Sequence, residues 1–586
     1  MKFYYHSLAA AIILASSPAF AFEPLDDQQL SDTSGADGLM IETQASQITL
    51  DNAYWEDRAG TTAAEIGIFA RFDDVTISNP TAGQDLGTTL AISTNSLGTS
   101  PELKLSVDTT PFLFKAERFA ACLNASGDCS TTPARNLSSN SGEWAIKSSG
   151  IGLDLSTTDG LFNQNGTANI KLLLDQVDIF ITQPQTTGGF GQIILGDIRA
   201  DIDADGRLWV DPIEGIRFNG DVSLNPRTTG EYRAGLQFAL KHRSNAPAIG
   251  DPNRYNTNDP MSPTGSLLRL GISGDLSDVD VAIRGINDSD PNTSKILGRV
   301  NGSASGDSIV GSGGLGISIK GNIDPDFSLE LGESDTNSAT GRSLQFRNIT
   351  ALDGGTNPAR FDLGNIYVNM IQTSQIGLPI SSRLSNAINF DGATTVEVPL
   401  ADANGFNYLA LQRGTVTGGV VTGAGLPSTV SDGMLSIASR GLNIQGVPTV
   451  TNIINNNTGV ATTTINGGLI TAFNNLNSNI VFYGDNNKAG FALGLSTEGL
   501  AADNKGTTGI LIADTRPGVN RYFGVRNLDL LLQTSGTISM DADSIRVDLP
   551  SVLLAFNGEF AVGSLMNGTT NFSSDSTVLN NSKSDV

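Results

Sequence analysis

Histidine is nearly missing from this chain. Only His6 and His242 occur in 586 residues, and His6 lies in a segment that reads as a removable leader. One remaining imidazole cannot build a two-histidine metal site, and a Ser–His–Asp triad would have to use His242. That residue sits in Lys241-His242-Arg243 beside a polar stretch, where a solvated surface role is the simpler reading. Cysteine is as scarce, with Cys122 and Cys129 the only two. Their spacing is not the C-x-x-C of a redox pair. In an oxidising compartment they would close one short loop as a structural disulfide. Basic residues are also few, 35 Lys and Arg against 60 Asp and Glu, for a net charge of −25. That balance disfavours nucleic acid and anionic lipid headgroups as partners, since both need a positive surface. Aromatics reach only 6%, thin for the two aromatic girdles of a membrane barrel. No apolar run approaches the roughly 20 residues of a spanning helix, so no transmembrane helix is expected.

What the chain does have is glycine, 66 residues of it, with many Asn, Thr and Ser, and short runs of alternating polarity. The clearest lie in 506–565: Gly509-Ile-Leu-Ile, Tyr522–Leu532, Thr537–Met540, Ile545–Leu549 and Val552–Phe556. Ile545, Val547 and Leu549 fall on one side of such a strand, Arg546 and Asp548 on the other. The same style runs through Ala64–Phe72, Trp144–Leu155, Gly191–Asp203, Ile216–Leu224, Leu267–Ile272 and Phe361–Ile371. The fold class that follows is all-β: antiparallel strands in large sheets, a sandwich or an elongated array. Leu25–Leu30, with Asp26 and Asp27 in its first turn, adds a short N-terminal helix.

The chain opens as a secretory signal. Lys2 gives a positive start, Leu8–Ala15 an apolar core, and Ala19-Phe20-Ala21 a cleavage site, so the mature protein should begin at Phe22. Location outside the inner membrane follows, in the periplasm, outer membrane or cell surface. The expected organisation is a signal at 1–21, an N-terminal segment at 22–57 and a β-rich region with the cysteine loop at 58–243. A Pro-rich linker or loop at 244–266, carrying Pro247, Pro252, Pro260 and Pro263, precedes a second β-rich region at 267–570. Within it, 410–470 reads as a loosely packed array or loop-bearing face, and 571–586 as a frayed polar tail. Phe218-Asn219, Phe346-Arg-Asn348 and Val525-Arg-Asn527 echo one another without a fixed period.

Leu25, Asp27, Leu30, Ser31, Gly35, Asp37, Gly38 and Leu39 follow the pattern L-x-D-x-x-L-S-x-x-x-G-Q-D/A-G-hydrophobic, with Ala36 where Gln is usual. In this stretch the chain resembles a family of exported Gram-negative proteins that includes pilus-assembly proteins of the Fil type. The resemblance covers about twenty residues. It implies an envelope or surface location and a role in pili or adhesion, with other envelope or pilus proteins, or a host or abiotic surface, as partners.

Three chemical readings can be set against the plain one. Asp201-Ile-Asp203-Ala-Asp205-Gly206 places oxygen ligands at alternate positions before a glycine, as in the first half of a Ca2+ loop. Pro212 stands where the closing bidentate Glu belongs, so the plain reading is a strand ending in an Asp-Gly hairpin turn. Ca2+ at Asp201, Asp203 and Asp205 is the one cofactor the sequence admits. Carboxylate pairs could serve a secreted carbohydrate-active enzyme, but with 60 acidic residues spacing selects none. Tyr54-Trp55, Trp144 and Trp209 could stack on sugars, yet scattered aromatics in β proteins more often pack. The function expected is therefore non-enzymatic, a structural or adhesive envelope component. An outer-membrane β-barrel is the alternative, and the carbohydrate-active enzyme comes third.

Overall fold

Alternation with a period of two makes nearly every ordered stretch of this chain a strand. The structure, a computed structural model, describes residues 38–58, 67–97, 100–123, 133–137, 139–160, 162–185, 188–226, 234–286, 314–332, 343–350, 358–371, 375–380, 400–401, 407–412, 415–417, 420–422, 434–455, 460–485, 487–497, 508–514, 521–541, 544–564 and 577–585. The leader, the helix expected at Leu25–Leu30, most of the family signature and Cys129 lie outside them. The protein is all-β and antiparallel.

The chain crosses one sheet back and forth. The first pass is β1 (Gly38–Ala45) with β2 (Gln47–Arg58), the second β3 (Gly67–Ser78) with β4 (Leu86–Leu97). The third joins β5 (Ser100–Thr109), β6 (Phe112–Ala116) and β7 (Arg118–Leu123), and the fourth β8 (Glu143–Ser148) and β9 (Ile151–Thr158). The fifth and sixth are the single strands β10 (Ala168–Pro184) and β11 (Phe190–Asp211). The seventh is β12 (Gly215–Leu224) with β13 (Leu236–Arg243), and the eighth β14 (Gly265–Ile286). The ninth is β15 (Gly314–Ile323) with β16 (Ser328–Gly332), the tenth β17 (Ser343–Thr350) with β18 (Ala359–Ile371). Between the tenth and eleventh lie two small sheets: β19 (Gln375–Ile380), β20 (Leu400–Ala401) and β21 (Asn407–Gln412) in one, β22 (Thr415–Thr417) and β23 (Val420–Thr422) in the other. The eleventh and twelfth are β24 (Met434–Asn455) and β25 (Val460–Asp485), and the thirteenth is β26 (Lys488–Thr497) with β27 (Thr508–Asp514). β28 (Arg521–Asp541), β29 (Ser544–Ser564) and β30 (Thr577–Asp585) complete the set. Among the described residues these are sixteen passes. Each pairs with the pass before and the pass after it, in one sheet of 25 strands.

Three expectations change. Of the stretch 410–470 expected to be a loose array, Met434–Asn455 and the start of Val460–Asp485 are instead two long passes. The polar tail supplies β30, paired along β29, because a ladder needs backbone groups rather than apolar side chains. Asp205-Gly206 is no turn: β11 runs through it, with Gly206 opposite Gly220, and the reversal comes at Pro212–Glu214.

The passes crease near their middles. Asp74, Asp197, Asp278, Asn348, Asn475 and Asn527 have φ between 49° and 52°, a left-handed conformation that Asp and Asn tolerate best among residues with a side chain. Register shifts flank four of them, between Gly196 and Arg199, Ser277 and Asp280, Arg347 and Thr350, and Arg526 and Asp529. These are β-bulges, which bend a strand and sharpen its twist. The acceptor for the creased backbone N–H comes from a neighbouring strand. Asp178 takes it from Asp197 at 2.8 Å, Asp221 from Asp278 at 3.1 Å and Asn443 from Asn475 at 3.0 Å.

The two faces of the sheet differ throughout. An apolar row crosses ten strands from Leu39 through Leu105, Ile170 and Val222 to Ile323 and Ala359. A second runs from Ile77 through Phe114, Ile146 and Ile179 to Leu195 and Leu240. The opposite face carries most of the polar side chains, together with a buried apolar patch of Ala145, Phe180 and Ile194. The apolar faces of the two halves meet at their rims. Ala70 and Ala121, early in the chain, are buried against Met370 with Trp55, Phe119 and Leu435 around them. Farther along, a Cβ on Gly191 would come within 2.6 Å of the Met540 Cβ. Asn140 donates its side-chain amide to Asn487 at 3.0 Å, and the Asn487 N–H donates to the Asn140 carbonyl at 2.8 Å.

Candidate functional site

The most concentrated polar chemistry lies where residues 244–264 fold back on the sheet. β13 and β14 pair directly as a hairpin, so this Pro-rich segment is their connection. Side chains start its successive turns: Asp251 accepts from the Asn253 N–H at 2.8 Å, Asn256 from Asn258 at 3.1 Å and Asp259 from Met261 at 2.9 Å. These turns deliver Arg254 and Tyr255 onto the polar face of β8, β10 and β11. Arg254 Nε and Nη2 meet the two carboxylate oxygens of Glu143 at 2.9 and 3.1 Å, and the Tyr255 hydroxyl donates to the same carboxylate at 2.5 Å. The Arg254 guanidinium lies 4.6 Å from the Phe190 ring centroid. Gln192 donates to the Arg254 carbonyl at 3.1 Å and to Thr182 at 3.2 Å, and Arg243 donates to Gln192 at 3.2 Å and to the Arg254 carbonyl at 3.0 Å.

Arg243 and Arg254 are 0% and 2% exposed. Burial pushes the Arg243 guanidinium below its usual value, with the Asp259 charge opposing the shift. Burial, then the Glu143 carboxylate, drives the Tyr255 phenol far above its usual range. Glu143 therefore holds three donors and Tyr255 keeps its proton. The cluster works as a latch that fixes the connection to the sheet, not as an acid and base poised for proton transfer. A second closed set pairs Arg269 with Glu330, which also accepts from Gln345 at 2.9 Å. Burial opposes the Glu330 charge, but Arg269 and the bonds from Gln345 and Ser343 outweigh it and hold the carboxyl below its ordinary value.

The residues singled out by sequence are placed as follows. Asp201, Asp203 and Asp205 stand in file along β11, each about 7 Å from the next. Asp203 faces Lys171 at 3.5 Å and accepts from Asn225 at 2.7 Å, and Asp205 accepts from Asn169 at 2.5 Å. An extended strand cannot wrap them around one ion, so the loop geometry expected for Ca2+ is not formed. Among the described residues no three His, Cys, Asp or Glu side chains cluster as metal ligands. His242 is a strand residue of β13, half-buried, and a side chain on Gly265 would collide with its ring. It does lie beside the polar stretch, but only partly in solvent. Trp144 packs on Phe72 and Phe119 and donates to Ser141 at 3.0 Å. Trp209 lies under Arg217, and Tyr54 meets the Phe69 ring edge-on at 5.0 Å. Cys122 is buried at the end of β7. The latch was missed because a Pro-rich polar stretch reads as a linker. Its signal was Arg254-Tyr255, two large side chains in a run of small ones.

The free edge is the other candidate. β1 pairs only with β4 among the described residues. Leu39 and Met40 on its opposite faces are 56% and 64% exposed. No helix of the described residues is long and apolar enough to cross a membrane. The first 109 residues are similar to a family of unknown function, DUF6160, and that match ends with the last residue of β5. No curated protein and no solved structure matches the chain.

Proposed function

We propose that the chain is a non-enzymatic component of a Gram-negative envelope, a surface or pilus-associated structural protein that assembles through its N-terminal sheet edge. The observation that carries this reading is β1, an edge strand with large apolar side chains exposed on both faces. Unpaired backbone beside exposed Leu and Met is a template for a further strand, and proteins that avoid such pairing protect their edges with charge, proline or bulges. The family match spans this edge, and the leader and the N-terminal resemblance support export and a pilus or surface partner. In that compartment Cys122 and Cys129 would form their short disulfide.

Protease treatment of intact cells followed by envelope fractionation tests the location. Digestion from outside, with release by shear, is expected; full protection with recovery in the soluble periplasm would sink the surface reading. For the edge, Glu42→Pro removes a donor that points away from β4, since its neighbour Thr43 is the residue that faces Thr88 in the β1–β4 ladder. It should abolish co-purification of partner strands while leaving the thermal transition within a few degrees, since the change is confined to an edge.

A second reading, an outer-membrane barrel, draws support from the even, up-and-down order of the passes. It requires the apolar face to point outward. The contacts of Ala70 and Ala121 with Met370 are made by that face across the interior, which favours the structural reading. Heat-modifiable migration on a gel would reverse the preference.

A further inference from the structure

Three creases differ in the group that takes their left-handed N–H. For Asn475 on β25 it is the neutral amide of Asn443, and for Asp278 on β14 it is the carboxylate of Asp221, which stands in solvent. For Asp197 on β11 it is Asp178, a carboxylate only 3% exposed. A neutral amide therefore satisfies a crease, and a buried charge is a costlier way to do the same. The site is nonetheless shaped around that charge. A Cβ on Gly196 would lie 2.8 Å from the Asp178 Oδ1, so the glycine is what lets the carboxylate reach the crease.

Charged groups face Asp178 from the strands packed against it. On β8, Lys147 is its direct cross-strand neighbour, and the ammonium donates to the Tyr255 carbonyl at 3.2 Å. On β11, Asp197 pairs with Lys241 of β13 at 2.5 Å and accepts from Gln176 at 3.4 Å. On β10 itself, Gln176 donates to Asp178 Oδ2 at 3.1 Å and accepts from Arg199, which also meets Asp175. Lys147 thus joins the Asp178 charge to the connection 244–264, one residue past Arg254. Burial pushes the Asp178 carboxyl above its ordinary value of 3.8. The Asp197 charge adds to the rise, and the Asp197 N–H, Lys241 and Lys147 offset only part of it.

We infer that Asp178 is a proton-operated strut that sets how tightly the connection 244–264 lies on the sheet. Ionised, its charge holds the Lys147 ammonium beneath Tyr255. Once protonated it still accepts the crease N–H, but Lys147 loses its counter-charge, because Asp197 is engaged by Lys241. The ammonium then turns to solvent and releases the Tyr255 carbonyl. The connection is left to Arg254, Arg243 and the Tyr255 hydroxyl. For the whole fold the effect has the opposite sign. A carboxyl whose folded pKa is raised costs stability when ionised, a cost absent below the unfolded value and complete above the folded one. Acid therefore loosens the connection while it relieves the sheet.

The test is amide hydrogen exchange of the full chain, corrected for the chemical rate and followed across 244–264 from pH 7.5 downward through the native range. In the wild-type protein, exchange there should rise about tenfold, the weight of one charged hydrogen bond. The midpoint of that rise should lie above 3.8. Asp178→Asn keeps the acceptor and removes the charge. It should already exchange fast at pH 7.5, show no step on acidification, and raise the urea midpoint. An aspartate with a purely structural role would give the reverse, a lower midpoint. Lys147→Met, with Asp178 intact, should also exchange fast at every pH. Asp221→Asn, the same change at the solvent-facing crease, should leave the connection as in the wild type. A flat wild-type profile, a step that survives in Asp178→Asn, or an Asp178→Asn chain that does not fold would each overturn the inference.

Discussion

At the residue scale, the informative side chains are charged groups held where water does not reach. Arg269 and Glu330 are 2% and 4% exposed, and Arg269 is the charge that holds the Glu330 carboxylate. Removing one member of such a pair is far more damaging than replacing both, since the survivor is left charged and dry. Arg269→Leu should therefore cost about 3–5 kcal/mol, and Arg269→Leu with Glu330→Leu much less. The pH dependence follows from the direction of the Glu330 shift. Its folded pKa is depressed below 4.5, so its stabilising share is present above that value and lost as pH falls through the folded pKa. Without Arg269, burial alone would raise the carboxyl, and the variant's deficit should shrink as pH is lowered toward 4.5. Urea midpoints at pH 7.5 and pH 4.5 check both statements. A deficit equal at the two pH values would mean that Glu330 is not the group left stranded. None of this was legible in the sequence, where Arg269 and Glu330 are two charges among 95. Only the pairing of β14 with β16 brings their strands side by side.

At the scale of the element, strands were legible and passes were not. The alternation of Ile545, Val547 and Leu549, or of Phe361–Ile371, fixes strand and face locally. A crease resets that alternation by one residue: β10 is apolar at Ile170, Leu172 and Leu174, then at Val177, Ile179 and Ile181. Read along the sequence, the reset looks like two short strands rather than one long bent one. The echo among Asn219, Asn348 and Asn527 was a true signal in part. Asn348 and Asn527 are creases, whereas Asn219 lies in a regular strand between Arg207 and Asp280. The crease residue is followed by an aliphatic side chain that returns to the packed interior, and Val75, Val279 and Leu528 are all buried. Asn527→Val tests the device. A β-branched residue at φ 51° should cost about 1–2 kcal/mol or more through the backbone alone, while Asn527→Gly frees the backbone and loses only the side-chain bond to Glu559 at 2.8 Å. Hydrogen exchange across 521–541 should accelerate in the valine variant and not in the glycine variant. Equal protection in both would show that the left-handed backbone is not what the asparagine supplies.

For the whole molecule, the order of passes sets what must be explained. A meander in which each pass pairs only with its sequence neighbours could lie open as a long ribbon. This one brings its early rim onto its late one, and the polar contact that does so joins Asn140 to Asn487. Such a contact between residues 347 apart in sequence is invisible to local reading, because neither asparagine differs in its surroundings from dozens of others. Asn140→Cys with Asn487→Cys should form a disulfide in the oxidised protein, because the side chains already touch and the backbones are hydrogen-bonded. Peptide mapping under non-reducing conditions should recover the 140–487 bridge, distinct from any bridge of Cys122. A bridged protein should unfold at a higher urea midpoint than the same protein after reduction, the equivalent of about 2–4 kcal/mol. If the bridge forms and the midpoint does not rise, the rim contact is not what holds the two halves in the folded state. If it does not form, the rims are not held together in solution.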